Sequence, residues 1–195
     1  MAKPLLFALS LISASSAFTN NAQKELATGN ALDLNTLCHN KLCVFSNVAM
    51  EWGLKYKSYK GLSRLAEKYA NDLVVIYQPS NSFNQEKNSG WTLKNNINAY
   101  FKEQGFTLTS NQYWLERQFV NEGDGPDSET SMLFAKELPK KLKNPGYIRM
   151  FKGDKILWNF EKFLFGKKGQ PLKRLSSPQA PSGLESYIKE ELGLN

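Results

Sequence analysis

The sequence predicts a single α/β domain built on a mixed sheet with helices on its faces, and three observations carry that expectation. Two apolar runs, LCVFSNV at 42–48 and LVVIY at 73–77, have the near-continuous hydrophobic character of buried parallel strands. Between them lies an amphipathic segment of helical period, the crossover that a parallel pair requires. Near the C-terminus a turn rich in Gly and Lys separates two further strand-like segments, the pattern of an antiparallel hairpin. At 195 residues, 41% hydrophobic and 22% charged, the chain can bury one sizeable core and is not composed like a disordered one.

Taken in order, the chain begins with Leu5 to Ile12, a short apolar run behind Lys3, followed by small residues. Ser15 and Ala17 stand like the −3 and −1 residues of a signal-peptidase site, so residues 1–17 are expected to be a signal peptide and 18–195 the domain. The expected location is outside the cell or in the secretory-pathway lumen. The apolar run is much shorter than the roughly 20 residues a membrane span needs, and no other segment comes nearer. After the strand at 42–48, Tyr59, Leu62, Leu65, Ala66 and Tyr69 recur at helical spacing while Lys60, Arg64, Glu67 and Lys68 face away. A helix is expected over 93–104, ended by Gly105, and another over 128–138, stopped by Pro139. The hairpin joins 163–165 to 171–175. A last helix is expected from a capping box, Ser182 with Glu185, to Gly193. One parallel pair and one antiparallel pair with helices on both faces is a thioredoxin-like α/β layout.

Charge and cysteine content narrow the function classes. The net charge of +7 favours anionic partners, and an anionic membrane surface is one candidate. The basic residues are scattered, and no nucleic-acid motif is present, so nucleic acid is not expected as a partner. Cys38 and Cys43 are too few for a disulfide framework, although a secretory compartment would permit one bond between them. With His39 the only histidine, three potential ligands cramped within six residues and no fourth elsewhere, no metal site is expected. No cofactor is expected.

Several separated stretches resemble one family in order. FSNVAMEWGL resembles the strand and loop of the glutathione peroxidases, of the form VNVAS-x-[Cys or selenocysteine]-GL, with matches at Asn47, Val48, Ala49 and Gly53. YQPSNSFNQE resembles that family's FPCNQFG-x-QE, VNEGDGPD its VNG loop, and ILWNFEKFLFGKKGQPLKR its WNF-x-KFL segment and hairpin. The resemblance covers roughly residues 30 to 192. It implies thiol-dependent reduction of hydrogen peroxide and organic hydroperoxides, with glutathione or thioredoxin as reducing co-substrate. In that chemistry a selenolate or thiolate attacks the outer peroxide oxygen, is oxidised to the selenenic or sulfenic level, and is returned by two thiol equivalents. The attacking group must be an anion, which nearby donors and a helix N-terminus favour. By position, the family's donors correspond here to Gln85, Trp158 and Asn159. Each also has a plainer reading: Gln85 as a loop-surface residue, Trp158 as core, Asn159 as a backbone partner at a strand entry.

The departures bear on activity. The nucleophile's position is Trp52, and an indole has no acidic or nucleophilic atom. Ser80 stands in the cysteine slot of FPCN and Ser82 replaces the next glutamine, in a stretch one residue shorter than the family's. No cysteine follows Cys43, so no resolving thiol is available. Cys43, inside a strand, and Cys38, without an activating environment, are poor substitutes. Three expectations follow. The chain is a catalytically impaired relative, or an active selenoprotein whose UGA codon was translated as Trp52, or a secreted non-catalytic binding protein.

Overall fold

The computed structural model describes residues 17–143 and 155–194. The expected signal peptide, apart from Ala17, and the segment 144–154 lie outside the described residues. Five strands form one sheet in the order β5-β4-β3-β6-β7: β3 is Leu42–Val48, β4 Leu73–Pro79, β5 Gln112–Trp114, β6 Lys162–Phe165 and β7 Pro171–Leu175. β3 pairs parallel with β4, and β4 with β5. β3 and β6, and β6 and β7, pair antiparallel. The mixed sheet is therefore the expected one with β5 added. Its three residues are too few to show a strand period.

Both faces of the sheet are covered, which is why β3 and β4 read as unbroken apolar runs. Along β3, Val44 and Val48 point into one core with Tyr59, Leu62, Val75 and Tyr77. Cys43 and Phe45 point into the other with Val74, Ile76, Phe163 and Phe165. Each fully buried side chain of this kind contributes about 1.5–3 kcal/mol. Helix α2, Lys55–Lys68, packs Tyr59, Leu62, Leu65 and Ala66 on the first core and leaves Arg64, Glu67 and Lys68 exposed, as its periodicity requires. Helix α3, Gly90–Gln104, ends as expected at Gly105, whose φ of +65° is left-handed. Gly61 is fixed by a close approach: a Cβ there would lie 2.8 Å from Pro181 of the turn packed against α2. On the other face Phe18, the expected first residue of the processed chain, is fully buried between Phe45 and Phe165, at 5.0 and 5.2 Å between ring centroids.

Two helical expectations need correction. The segment expected to be one helix over 128–138 is a 3₁₀ turn at Asp127–Glu129, a break, a π turn at Leu133–Glu137 and then α4, Leu138–Lys141. Pro139 does not stop it. It occupies the first turn of α4, where a missing N–H costs nothing and the fixed φ suits the helix. The capping box is also absent. Pro181–Leu184 is a 3₁₀ turn, α5 starts at Glu185, and the Glu185 carboxylate bonds Lys68 and the Tyr69 hydroxyl on α2 instead of a backbone amide. A cross-helix ammonium is a stronger partner than a neutral N–H. Three short elements also escaped the sequence reading: β1 (Ala22–Lys24), which pairs with β2 (Ala31–Asp33), and α1 (Leu34–Leu37), capped by Asp33.

Cys38 and Cys43 form a disulfide joining the end of α1 to the start of β3, with Cα atoms 5.9 Å apart. Closing so short a loop is worth about 2 kcal/mol in the chain-entropy account. The double variant Cys38→Ser/Cys43→Ser is expected to lose about that much in denaturant unfolding, as is the wild-type chain after reduction.

Candidate active site

β3 runs out at Val48 into a tight loop, and α2 begins six residues after Ala49, at Lys55. Ala49 and Met50 are buried, Trp52 half-buried, and Gly53 and Leu54 exposed. The Lys55 N–H reaches back to the Trp52 carbonyl at 3.2 Å, so residue 52 stands at the entrance to a 14-residue helix with no acidic side chain in its first turn. The unpaired amides and dipole of such a terminus favour negative charge there.

Three loops are tied together around that position, and Asn47 is the main clamp. Its carbonyl accepts the Phe160 N–H at 2.6 Å, its Oδ1 accepts the Glu161 N–H at 3.0 Å, and its Nδ2 donates to the Trp158 carbonyl at 2.9 Å. These bonds hold Phe160 at a φ of +63°, a conformation that bulky residues rarely adopt without support. The loop after β4 is joined on the other side. Glu51 N–H donates to the Gln85 carbonyl at 3.0 Å, and Met50 N–H to Glu86 Oε2 at 2.9 Å. Behind the 157–161 loop, Glu161 Oε1 accepts the Leu157 N–H while Oε2 meets the buried Arg174 guanidinium at 2.6 Å.

Of the residues singled out from the sequence, Gln85 and Asn159 come together: Asn159 Nδ2 donates to Gln85 Oε1 at 2.7 Å, with Asn159 fully buried. That bond occupies the Gln85 oxygen and leaves its amide donors for another partner. Trp158 is not a core residue. Its ring is 43% exposed and packs on Phe83 at 5.2 Å, turned outward just before the left-handed Phe160. The Trp52 indole lies nearly parallel on Phe160, centroids 5.1 Å apart and planes at 21°, and Phe160 in turn meets Tyr59 edge-on. The two tryptophans therefore engage different rings.

Ser80 and Ser82 have structural work of their own. Ser80 Oγ accepts the Ser82 N–H at 3.2 Å, and Ser82 Oγ accepts the Val120 N–H at 2.9 Å, so each hydroxyl satisfies a loop amide. Cys43 and its disulfide lie at the opposite end of β3 from the loop, roughly 16 Å along the strand from Val48. Among the described residues, no group of three or more His, Cys, Asp or Glu is disposed to hold a metal.

The sequence reading missed Glu86. Its side chain is buried beneath the loop, and burial pushes its carboxyl up to about 7, against the pull of the Met50 and Asn88 amides. The signal was available: a carboxylate directly after Gln85, in a stretch with no other acidic residue from Gln78 to Gly90.

No family model matches the chain. Two relatives do. A probable phospholipid hydroperoxide glutathione peroxidase of Nicotiana sylvestris is 31% identical over 170 residues, covering 86% of this chain and 89% of the relative. Glutathione peroxidase 1 of Caenorhabditis elegans is 32% identical over 154 residues, 78% of this chain and 83% of the relative. Among solved structures, Trgpx in apo form superposes with a TM-score of 0.60 at 23% identity, over 92% of this chain and 97% of that one. The fold is thus the thioredoxin-like α/β arrangement expected from the sequence.

Proposed function

This chain belongs to the glutathione peroxidase family, and on that premise we propose that its reactive position is residue 52 and that, with tryptophan there, it does not reduce peroxides by the family's route. The observation that carries this is the combination at residue 52 of a helix entrance suited to an anion and an indole stacked on Phe160. A peroxide oxygen presented to that loop meets a hydrophobic ring with no electron pair to attack it. The disulfide argues against a substitute thiol, since Cys38 and Cys43 are bonded to each other. In assays of the chain as written, with glutathione or thioredoxin as reductant, peroxide is expected to persist as it does without protein. Measurable turnover from the Trp52 form would refute the impairment.

A second reading is favoured by the Gln85–Asn159 bond. Two of the three donor residues meet in the loops tied to the one that carries residue 52, in keeping with a site still built around that position. In that case residue 52 is selenocysteine, read as tryptophan from a UGA codon, and peroxide and a thiol reductant are the substrates. The codon decides: TGG in a standard-code genome ends this reading, and TGA with a downstream selenocysteine insertion element supports it.

Location and surface complete the proposal. A Cys38–Cys43 disulfide is the usual mark of an oxidising compartment, in keeping with secretion or residence in the secretory-pathway lumen. As a non-catalytic binder, the protein would use its positive face. Lys57, Lys60 and Arg64 of α2 line one groove beside the exposed Tyr56 and Leu54, suited to an anionic membrane surface. Binding to anionic liposomes that weakens with salt is the expected result, and no binding at low salt would remove this partner.

A further inference from the structure

Beneath the loop that carries residue 52 lies a set of buried polar atoms that the catalytic comparison does not use. Glu86 Oε1, the Tyr59 hydroxyl and Asn159 Oδ1 are each buried with no hydrogen-bond partner among the described residues. Glu86 is the only one of these residues whose other atom grips the loop, through Oε2 and the Met50 N–H at 2.9 Å. Met50 is two residues from Trp52, and the Lys55 ammonium bonds the Met50 carbonyl, so both polar groups of that peptide neighbourhood are held by ionisable side chains.

We propose that Glu86 is a positioning residue for residue 52: its buried carboxyl fixes the 49–54 loop through the Met50 N–H, and gain or loss of one proton at that carboxyl shifts the loop apex. The proposal does not depend on whether the chain reduces peroxide.

The physical basis is a conflict between two requirements. A carboxylate accepts the Met50 N–H more strongly than a neutral carboxyl does, because the bond becomes charge-assisted. The same negative charge is buried with Oε1 unpartnered, which is costly unless something moves to meet it. The two protonation states therefore favour different positions of the loop. Several groups face this carboxyl. Glu51 on the same loop opposes its ionisation and is itself paired with Lys87 at 3.3 Å. Arg117 favours ionisation, with Nη1 on the Glu86 carbonyl at 3.3 Å. Tyr59 of α2 lies close enough for the Glu86 charge to add to burial in raising its phenol. Burial outweighs these charges and moves the carboxyl from about 4.5 in the unfolded chain up to about 7. With the folded value raised, stability from this group is complete below about 4.5 and is lost as pH rises through about 7.

The test is an amide and indole NMR titration of the full chain as written, over roughly pH 5 to 9. Trp52→Phe assigns the Trp52 indole signal among the four tryptophans. The Met50 amide and the Trp52 indole are expected to move together with a midpoint near 7, and both to become flat in Glu86→Gln. His39→Gln, which removes the only histidine at the far end of β3, is expected to leave both titrations intact. A Trp52 indole that stays flat while the Met50 amide titrates overturns the proposal. So does a Trp52 titration that survives in Glu86→Gln, or the absence of any titration at Met50. Should Glu86→Gln fail to fold, Glu86→Asp retains a titrating carboxyl one methylene short of Met50. The Trp52 midpoint must then shift or vanish, and an unchanged titration is equally fatal.

Discussion

Trp52→Cys is expected to turn a chain with no peroxide turnover into one that consumes hydrogen peroxide with glutathione, roughly tenfold or more above the protein-free background. A free cysteine thiol with a pKa of about 8.5 is only about 3% thiolate at pH 7, and a shift to about 7 makes it half thiolate, a gain of about fifteenfold in reactive species. The site supplies causes for such a shift. Residue 52 stands at the entrance to α2, whose first turn has no acidic residue, and the Gln85 amide has no acceptor among the described residues. The experiment is clean because Cys38 and Cys43 are bonded to each other, so the variant carries a single titratable thiol. With no resolving cysteine, the sulfenic acid formed must be reduced by two external thiols in turn, through a mixed disulfide. Losing the half-buried indole and its stacking on Phe160 costs about 1–2 kcal/mol, so folding is checked by circular dichroism before activity is read. A folded variant whose thiol reacts with peroxide no faster than a free cysteine would mean that Gln85, Trp158 and Asn159 are not arranged as the family requires.

That risk is real because the structure divides the three donors unevenly. The resemblance made Gln85 and Asn159 legible as a pair, and they meet. It gave no hint that Trp158 turns outward, since that depends on the left-handed φ of Phe160, which Asn47 enforces from 113 residues away in the chain. A backbone reversal held by tertiary hydrogen bonds leaves no local pattern to read. The same contrast runs through the fold. β3 and β4 were legible because burial on both faces makes each an unbroken apolar run, and α2 because its burial follows the helix period. β5 has three residues and is defined by its neighbour β4. In the 127–141 stretch a π turn changes the period midway, so one helix was expected where several turns exist. At 182–185 a correct local signal lost to a distant competitor: Glu185 had the spacing of a cap but found Lys68. Glu86 was overlooked for a related reason, since burial of a carboxylate is a property of the loops above it.

Glu161→Ala is expected to be the most damaging single change to the site, lowering stability by about 3–5 kcal/mol. Arg174 is nine-tenths or more buried, and its guanidinium meets Glu161 Oε2 through both Nε, at 2.8 Å, and Nη2, at 2.6 Å. Truncating Glu161 removes the carboxylate from a buried guanidinium that otherwise bonds the Leu142 and Lys155 carbonyls, and it orphans the Leu157 N–H that its other oxygen accepts. Against a net stability of about 5–15 kcal/mol for a domain, that loss lowers the melting temperature by roughly 10 °C. It is read by denaturant unfolding followed by circular dichroism. A loss under about 1 kcal/mol would show that the pair is relieved by solvent. The double variant Glu161→Met/Arg174→Met separates charge from packing: with both ions gone and the volume filled, most of the stability is expected to return. What should not return is the site. Glu161 belongs to the loop that presents Trp158, Asn159 and Phe160, and its carboxylate ties that loop at Leu157 to β7 at Arg174. In a Trp52→Cys background the double variant is therefore expected to fold yet reduce peroxide more slowly, because the Asn159–Gln85 bond loses the support that holds it beside residue 52.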